Sequence, residues 1–273
     1  MQAPQNPITA ELAERHVERL AATEAAVEPV FTLPSQYPSG HHVALHRHSR
    51  AQFAYARTGV IMVSSRQGRW MVPPEHALWI PAGLDHSVDM LGEVTMLSAY
   101  ISSEALTTLP QVIRVVALTE LARALIVEAV SPAGDSGHSR RRRLIVALLL
   151  EEISQLPDRP LGLPIPSDVR LAALCRAFLA NPTARLLIDD WAARLNMSRR
   201  AFTRAFRRET GISLSTWRQQ AALFTALPRL AAGEPVTTVA FDLGYESVAA
   251  FTTMFKRMLG AAPRAYFRAP DAA

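Results

Sequence analysis

The stretch VTTVAFDLGYESVAAFTTMFKRMLG, residues 236–260, repeats the plan of DDWAARLNMSRRAFTRAFRRETG, residues 189–211. In each, a short helix of apolar periodicity meets a tight break, Asn196-Met197 in one and Leu243-Gly244-Tyr245 in the other. A serine then stands where an N-cap belongs, Ser198 and Ser247, and a second amphipathic helix follows. The two serines lie 49 residues apart, so one supersecondary unit occurs twice. The pattern is a tandem helix-turn-helix joined by one long helix over residues 214–231. Pro228 falls inside that helix, where a proline removes a backbone hydrogen bond and is expected to kink or end it.

In a helix-turn-helix the second helix enters the DNA major groove with its N-terminal residues at the base edges. Phe202, Ala205 and Phe206, spaced i, i+3, i+4, mark the core face of the first such helix, leaving Arg200, Thr203, Arg204 and Arg207 outward. Arg200 and Arg204 can each grip a guanine in bidentate fashion, and Thr203 offers a methyl or a hydroxyl. In the second unit Phe251, Met254 and Phe255 face the core. Val248, Ala249, Thr252 and Thr253 then point outward, with Lys256 and Arg257 further along. Its first turns carry no arginine or glutamine, so this helix is expected to discriminate bases less and position more. Ser198, Arg199, Arg207, Ser247, Lys256 and Arg257 are the expected phosphate contacts. The plain alternative is an ordinary solvated basic face.

Charge supports a polyanionic partner for this half. The chain has 273 residues and a net charge of +5. From residue 167 onward 15 Lys plus Arg oppose 8 Asp plus Glu, whereas 14 oppose 16 before it. Lys256 is the only lysine, a bias better explained by base composition of the genome than by function. The one cysteine, Cys175, excludes an intrachain disulfide and reads as a small core thiol in a reducing compartment. No apolar run reaches bilayer length, and the N-terminal residues lack a signal-peptide pattern, so no membrane partner and a cytoplasmic location are expected.

The length suggests two domains. Residues 1–30 hold an Ala/Glu-rich segment with Leu12, Val17 and Leu20 near helical spacing, read as a frayed helix or as an arm docked on the next domain. Residues 31–105 carry short β-branched and aromatic runs punctuated by Gly59, Gly68, Pro73-Pro74, Gly83 and Gly92, the signature of a small antiparallel barrel. Helical periods are expected at 112–130 and 144–156, within a helical pair spanning 106–156, with SPAGDSGHS as the loop between them. Their excess apolar surface fits packing on the barrel or a homodimer interface. Arg140 to Arg143 open the second helix and read as solvated charge, with DNA-backbone contact the lesser alternative. Residues 157–166 are expected to be a Pro-rich inter-domain linker, and 167–268 the DNA-binding domain, with Ser167 capping its first helix.

Within the strand-rich region, Gly40 is followed by His46-Arg47-His48, Gln52 and Gly59, and then by Pro81-Ala82-Gly83-Leu84-Asp85-His86. Residues i and i+2 of a strand share a face, so His46 and His48 project together and His86 can meet them across a barrel. This resembles the two cupin motifs over residues 40–90. Gln52 stands where cupins carry a glutamate ligand, and Met90 where they carry an asparagine. The resemblance implies a barrel with a central pocket that includes His46, His48, Gln52 and His86, with Tyr55, Trp79 and Trp70 as candidate walls. His46, His48 and His86 could hold a divalent metal, although no cofactor is certain, and loss of the carboxylate weakens charge compensation.

The C-terminal repeat resembles the AraC/XylS family of transcription regulators. Ala240, Gly244-Tyr245, Ser247, Phe251, Phe255 and Gly260-x2-Pro263 stand in the family's signature positions. The implied fold class is α+β: an N-terminal cupin-like β-barrel with flanking helices, then an all-α domain of two helix-turn-helix units joined by a long helix. The implied function is a sequence-specific, double-stranded-DNA-binding regulator, activator or repressor, not an enzyme, controlled by a small-molecule effector in the barrel. RNA polymerase is a partner if it activates. In the family the base-reading positions correspond to Arg200, Thr203 and Arg204, and to Val248, Ala249 and Thr252. The alternative from another class is a cupin metalloenzyme with a DNA-binding appendage.

Overall fold

The computed structural model describes residues 7–105, 110–130, 139–159, 161–180, 182–183 and 187–266, with side chains from residue 11 onward. All but the last residue of the expected loop at 131–139, and the ends of two expected segments, 106–109 and 267–268, lie outside the described residues. The chain forms two compact units, residues 1–66 with 70–161, and residues 67–69 with 162–273. Among the described residues no helix is long and apolar enough to cross a membrane.

The first unit begins with α1 (Pro7–Ala25), followed by β1 (Val30–Tyr37), β2 (His42–His46), β3 (Ala51–Ser65), β4 (Gly68–Val72), β5 (His76–Ile80) and β6 (His86–Ile101). After β7 (Arg114–Ala117) come α2 (Glu120–Val130), α3 (Arg140–Gln155) and β8 (Asp158–Arg159). The long β6 organises the sheet. β3 runs antiparallel to it along one edge, and β1 and β2 share the other, opposite Val94–Ile101 and opposite the His86 end respectively. What the sequence presents as two short strands around Gly59 is the single strand β3. Its register shifts between Ala56 and Val60. Gly59 has φ 70°, and a Cβ there would sit 2.6 Å from the Glu93 carbonyl oxygen, so the bulge requires glycine.

Period-two alternation sorts each central strand between two environments. Phe53 and Tyr55 of β3, Ala77 and Trp79 of β5, and Leu97, Ala99 and Ile101 of β6 form a core with Leu125, Ile126, Leu149 and Ile153 of α2 and α3. Gln52, Ala54, Leu78, Ile80, Met96 and Tyr100 face the other way, into a cavity. Tyr55 and Trp79 are therefore not effector-pocket walls: they are buried against the helices, and the Trp79 indole donates to the Pro110 carbonyl at 2.8 Å. Trp70 is buried and also outside the cavity lining.

Three further expectations are corrected in this unit. The helix expected from residue 112 starts only at Glu120, because residues 114–117 form β7, paired with β5. On α1 the face turned inward carries Leu12, His16, Arg19, Leu20 and Thr23, whereas Val17 is exposed. The arginine run is structural in part: Arg142 donates to the Ala129 carbonyl and to Thr32 Oγ1, and Arg141 pairs with Glu128 at 2.7 Å. The boundary between the two units falls within the Pro-rich segment, as expected, and the residues before it are hydrogen-bonded into the first unit. Asp158 and Arg159 pair with β7, and the Leu161 carbonyl accepts from the Met71 amide at 3.0 Å.

The second unit contains β9 (Gly162–Pro164), α4 (Val169–Ala180), α5 (Ile188–Arg194), α6 (Arg199–Thr210), α7 (Leu214–Ala231), α8 (Val236–Asp242), α9 (Val248–Leu259) and α10 (Pro263–Tyr266). Asp168, not Ser167, caps α4: its carboxylate accepts from the Arg170 and Leu171 amides, both at 3.0 Å, while Ser167 Oγ bonds Glu209. α7 does not end at Pro228 but runs on through its last turn to Ala231. Cys175 is buried in α4 beside the aromatic core, and burial pushes its thiol up to about 12.

Candidate DNA-reading helices and a histidine site

Both helix-turn-helix breaks are the same physical object. After α5 the chain turns at Asn196, with φ 53°, and after α8 at Gly244, with φ 78°. The Met197 amide reaches back to the Ala192 carbonyl and the Tyr245 amide to the Ala240 carbonyl, at 2.9 and 3.1 Å. These are the long bonds of a Schellman ending, closed by the shorter bonds from Asn196 to Ala193 and from Gly244 to Phe241. Ser198 Oγ accepts from the Ala201 amide and Ser247 Oγ from the Ala250 amide, starting α6 and α9. Each of these two helices ends on a left-handed glycine, Gly211 and Gly260.

Packing fixes which face each helix shows. Trp191 of α5 is buried at the centre of an aromatic group, with Phe178, Phe202, Phe206 and Trp217 at ring separations of 5.8 to 6.3 Å. With Phe202 and Phe206 anchored inward, Arg200, Thr203, Arg204 and Arg207 are exposed on α6. Among the described residues no hydrogen bond or ion pair holds Arg200, Arg204 or Arg207. Thr203 Oγ1 donates to the Arg199 carbonyl at 2.8 Å, leaving its methyl and oxygen lone pairs outward. Arg199 lies 3.5 Å from Asp189 in an exposed pair that contributes little to stability.

The second unit presents a different surface. On α9, Ala249, Thr253 and Lys256 are exposed, and Val248 and Thr252 half-buried. Arg257 donates to Gln219 Oε1 of α7 at 2.5 Å, so its guanidinium already has an intramolecular partner.

In the first unit the histidines converge. The candidate ligand nitrogens of His46, His48 and His86 all lie within 4.8 Å of one another. A backbone carbonyl orients each ring: Nδ1 faces the Ala44 oxygen at 2.8 Å in His46, the Arg50 oxygen at 2.5 Å in His48 and the Leu84 oxygen at 2.8 Å in His86. In His46 and His86 those bonds put the N–H on Nδ1 and the lone pair on Nε2; both nitrogens of His48 face oxygen acceptors, Nε2 facing Gln52 Oε1, and the neutral ring has one hydrogen to give. His86 Nε2 is buried without a hydrogen-bond partner. Burial lowers the pKa of all three, that of His86 to about 3 with the neighbouring His46 adding to the effect, so the rings are neutral near pH 7.

Gln52 serves as a hydrogen-bond hub rather than a free ligand. Its Nε2 donates to Ser98 Oγ at 3.0 Å and Tyr100 Oη at 3.2 Å, and its Oε1 lies 3.1 Å from His48 Nε2. A set of neutral imidazoles without a carboxylate suits metals that favour imidazole, such as zinc, and not oxygen-seeking magnesium or calcium. The cavity that His46 and His86 help line is small, ≈ 30 Å³, and otherwise lined mostly by apolar side chains.

Sequence reasoning missed two parts of this site. His16 and Arg19 of α1 join its wall, with Arg19 donating to Tyr37 Oη at 3.2 Å. The 4-residue steps Leu12–His16–Leu20 were the available signal. The second is an exposed pair on the neighbouring strands, His42 Nδ1 to Asp89 Oδ1 at 2.7 Å.

A paired helix-turn-helix joined to a sheet-rich ligand domain defines a transcription regulator. Residues 191–269 match the family model described as a helix-turn-helix domain, and residues 28–154 match the AraC-like ligand binding domain. The chain belongs to the AraC family of helix-turn-helix transcriptional regulators; these are regulators and not enzymes, which removes the metalloenzyme alternative. It is 32% identical over 222 residues, 81% of each chain, to the HTH-type transcriptional regulator NimR of Escherichia coli (strain K12). It is 28% identical over 109 residues to the HTH-type transcriptional regulator RipA of Corynebacterium glutamicum, covering 40% of this chain and 33% of RipA. A solved structure of the AdpA DNA-binding domain in complex with a target DNA is 33% identical, covering 35% of this chain and 87% of that one, with a TM-score of 0.33.

Proposed function

We propose that this regulator reads DNA chiefly through α6 and uses α9 for positioning. Arg200, Thr203 and Arg204 contact base edges, Arg200 and Arg204 as bidentate guanine readers. Val248, Ala249 and Thr252 make the weaker apolar contacts of the second helix. Ser198, Arg199, Arg207, Ser247, Lys256 and Arg257 hold phosphates; the two cap serines keep a hydroxyl hydrogen to donate, and Arg257 must leave Gln219 to take part. The two helices enter successive major grooves about 34 Å apart. The observation that carries this reading is the exposed row of unpartnered arginines on α6, set against the small side chains on α9.

The effector site is the cavity bounded by His46, Gln52 and His86, with His48 behind them, and the effector acts by altering how the barrel domain packs or pairs. Leu144 and Leu148 are exposed one turn apart on α3, a surface for a homodimer. RNA polymerase is the further partner if the protein activates, and access to DNA puts its work in the cytoplasm. Genome-wide mapping of bound DNA tests the whole reading. Discrete enriched sites for the wild type, lost in an Arg200→Ala/Arg204→Ala variant, are expected; unchanged occupancy in that variant would remove α6 from the base-reading role.

A further inference from the structure

The connecting helix α7 carries a weak joint and a clamp beside it. Pro228 has no amide to give the Phe224 carbonyl, so the last turn of α7, which leads into the second helix-turn-helix, lacks a backbone bond. That turn ends in a Schellman motif. The Glu234 amide donates to the Arg229 carbonyl and the Gly233 amide to the Leu230 carbonyl, both at 3.0 Å, with Gly233 at φ 86°. In such motifs an apolar contact commonly joins the two residues in the positions of Arg229 and Glu234. Here the closing pair is ionic: Arg229 Nε and Nη2 donate to Glu234 Oε2 at 2.9 and 2.7 Å. The same Nη2 also donates to Asp242 Oδ2 at 2.5 Å.

Asp242 is the last residue of α8, one step before the Leu243-Gly244-Tyr245 turn that launches α9. A carboxylate at a helix C-terminus is electrostatically misplaced, because the free carbonyls there are already negative. Arg229 offsets that charge, and its hydrogen bonds to Glu234 first and Asp242 second hold the guanidinium above its usual pKa. We propose that Arg229 is a specificity-determining positioning residue. By joining the end of α7, the turn at 232–235 and the end of α8, it fixes where α9 stands relative to α6, and so which spacing between two DNA blocks the regulator accepts. The inference rests on the reading of α6 and α9 as helices that enter successive major grooves.

Magnitudes separate this role from a stabilising one. The Glu234 and Asp242 side chains are 40% and 53% exposed, so their pairs with Arg229 add little to global stability. The fold of this region rests on buried apolar groups instead, Leu227 and Leu230 of α7, Val239 and Ala240 of α8, and Phe251 and Phe255 of α9. What the guanidinium governs is direction at a joint that the proline has loosened. Its planar fork holds two carboxylates in fixed geometry, which a single flexible point charge does not. One base pair advances a DNA block by about 3.4 Å and turns it by about 35°, so a modest swing of α9 is enough to change the preferred spacer.

The test measures binding of the full-length protein to an operator selected by the wild type, with the spacer between its two blocks lengthened or shortened by one base pair. For the wild type this shift takes the α9 contacts out of register and is expected to cost about fivefold or more, the equivalent of one mismatched base pair. Arg229→Met keeps the apolar stem. It is expected to bind the strong block alone as tightly as the wild type, yet to discriminate between spacers by no more than about twofold. Asp242→Asn, which frees only α8 from the clamp, is expected to flatten the profile in the same direction, and Arg229→Lys to restore part of the preference. Strong-block affinity and thermal unfolding on the same samples report that each variant is folded. A wild-type spacer profile in Arg229→Met or in Asp242→Asn overturns the clamp and leaves the two-groove reading standing. A flat profile in the wild type itself overturns both.

Discussion

Replacing Arg204 by alanine removes one exposed guanidinium from the second turn of α6 and disturbs nothing else. The side chain is exposed and has no hydrogen bond or ion pair among the described residues, so unfolding stability should change by less than about 0.5 kcal/mol. A bidentate arginine–guanine contact contributes about 1–3 kcal/mol of base discrimination. At about 1.4 kcal/mol per tenfold, affinity for the best site should fall roughly 5- to 150-fold. The loss should appear as relaxed preference at one base pair, with the other positions read as before. Fluorescence anisotropy with wild-type and singly substituted operators, repeated between about 50 and 200 mM salt, separates the outcomes. A phosphate contact would weaken all sequences alike and lower the salt slope by about 0.9. That result, or an unchanged affinity, would refute Arg204 as a base reader.

Three further outcomes follow from the packing and the titrations. In EDTA-treated protein the histidines, held below their ordinary pKa by burial, take up protons more readily when unfolded. Their contribution to stability is therefore complete above about pH 6.5 and lost as pH falls towards 3; His86 alone should cost about 2 kcal/mol between pH 7 and 5, and a flat urea-denaturation profile would contradict this. Trp191→Ala opens a hole at the centre of four aromatic rings and should cost about 3–5 kcal/mol in thermal or denaturant unfolding, with DNA binding lost through unfolding. Asn196→Gly should leave stability near the wild-type value, whereas Asn196→Val, β-branched at φ 53°, should cost about 1–2 kcal/mol; equal values would mean that the turn is not strained by a side chain.

The tandem helix-turn-helix was legible because its signals are local. Cap serines, a left-handed turn residue and an i, i+3, i+4 apolar stripe each act within a few residues, so Ser198, Asn196 and Phe202 could be placed from the chain alone. The histidine trio was legible for a similar reason, since a strand places His46 and His48 on one face and a motif spacing brings in His86. Contacts that depend on how layers stack were not legible. Tyr55 and Gln52 are three residues apart on one strand, and only the position of α2 and α3 decides that Tyr55 faces helices while Gln52 faces the cavity. Residues 112–118 carry valines that suit period 2 as well as period 3.6, and pairing with β5 selects the strand. The Leu12–His16–Leu20 steps put His16 on one face of α1, but its neighbour His46 is thirty residues away and only the docking of the helix brings the two rings together.

The central claim is that the two recognition helices contribute unequally to specificity. It is tested most directly by selecting bound sequences from a randomised DNA library with the full-length wild-type protein. The account predicts one strongly specified block containing guanines, abolished by Arg200→Ala/Arg204→Ala, and a second block about one helical turn away that is weakly specified. Two equally specified blocks, or a strong block that survives loss of both arginines, would contradict it.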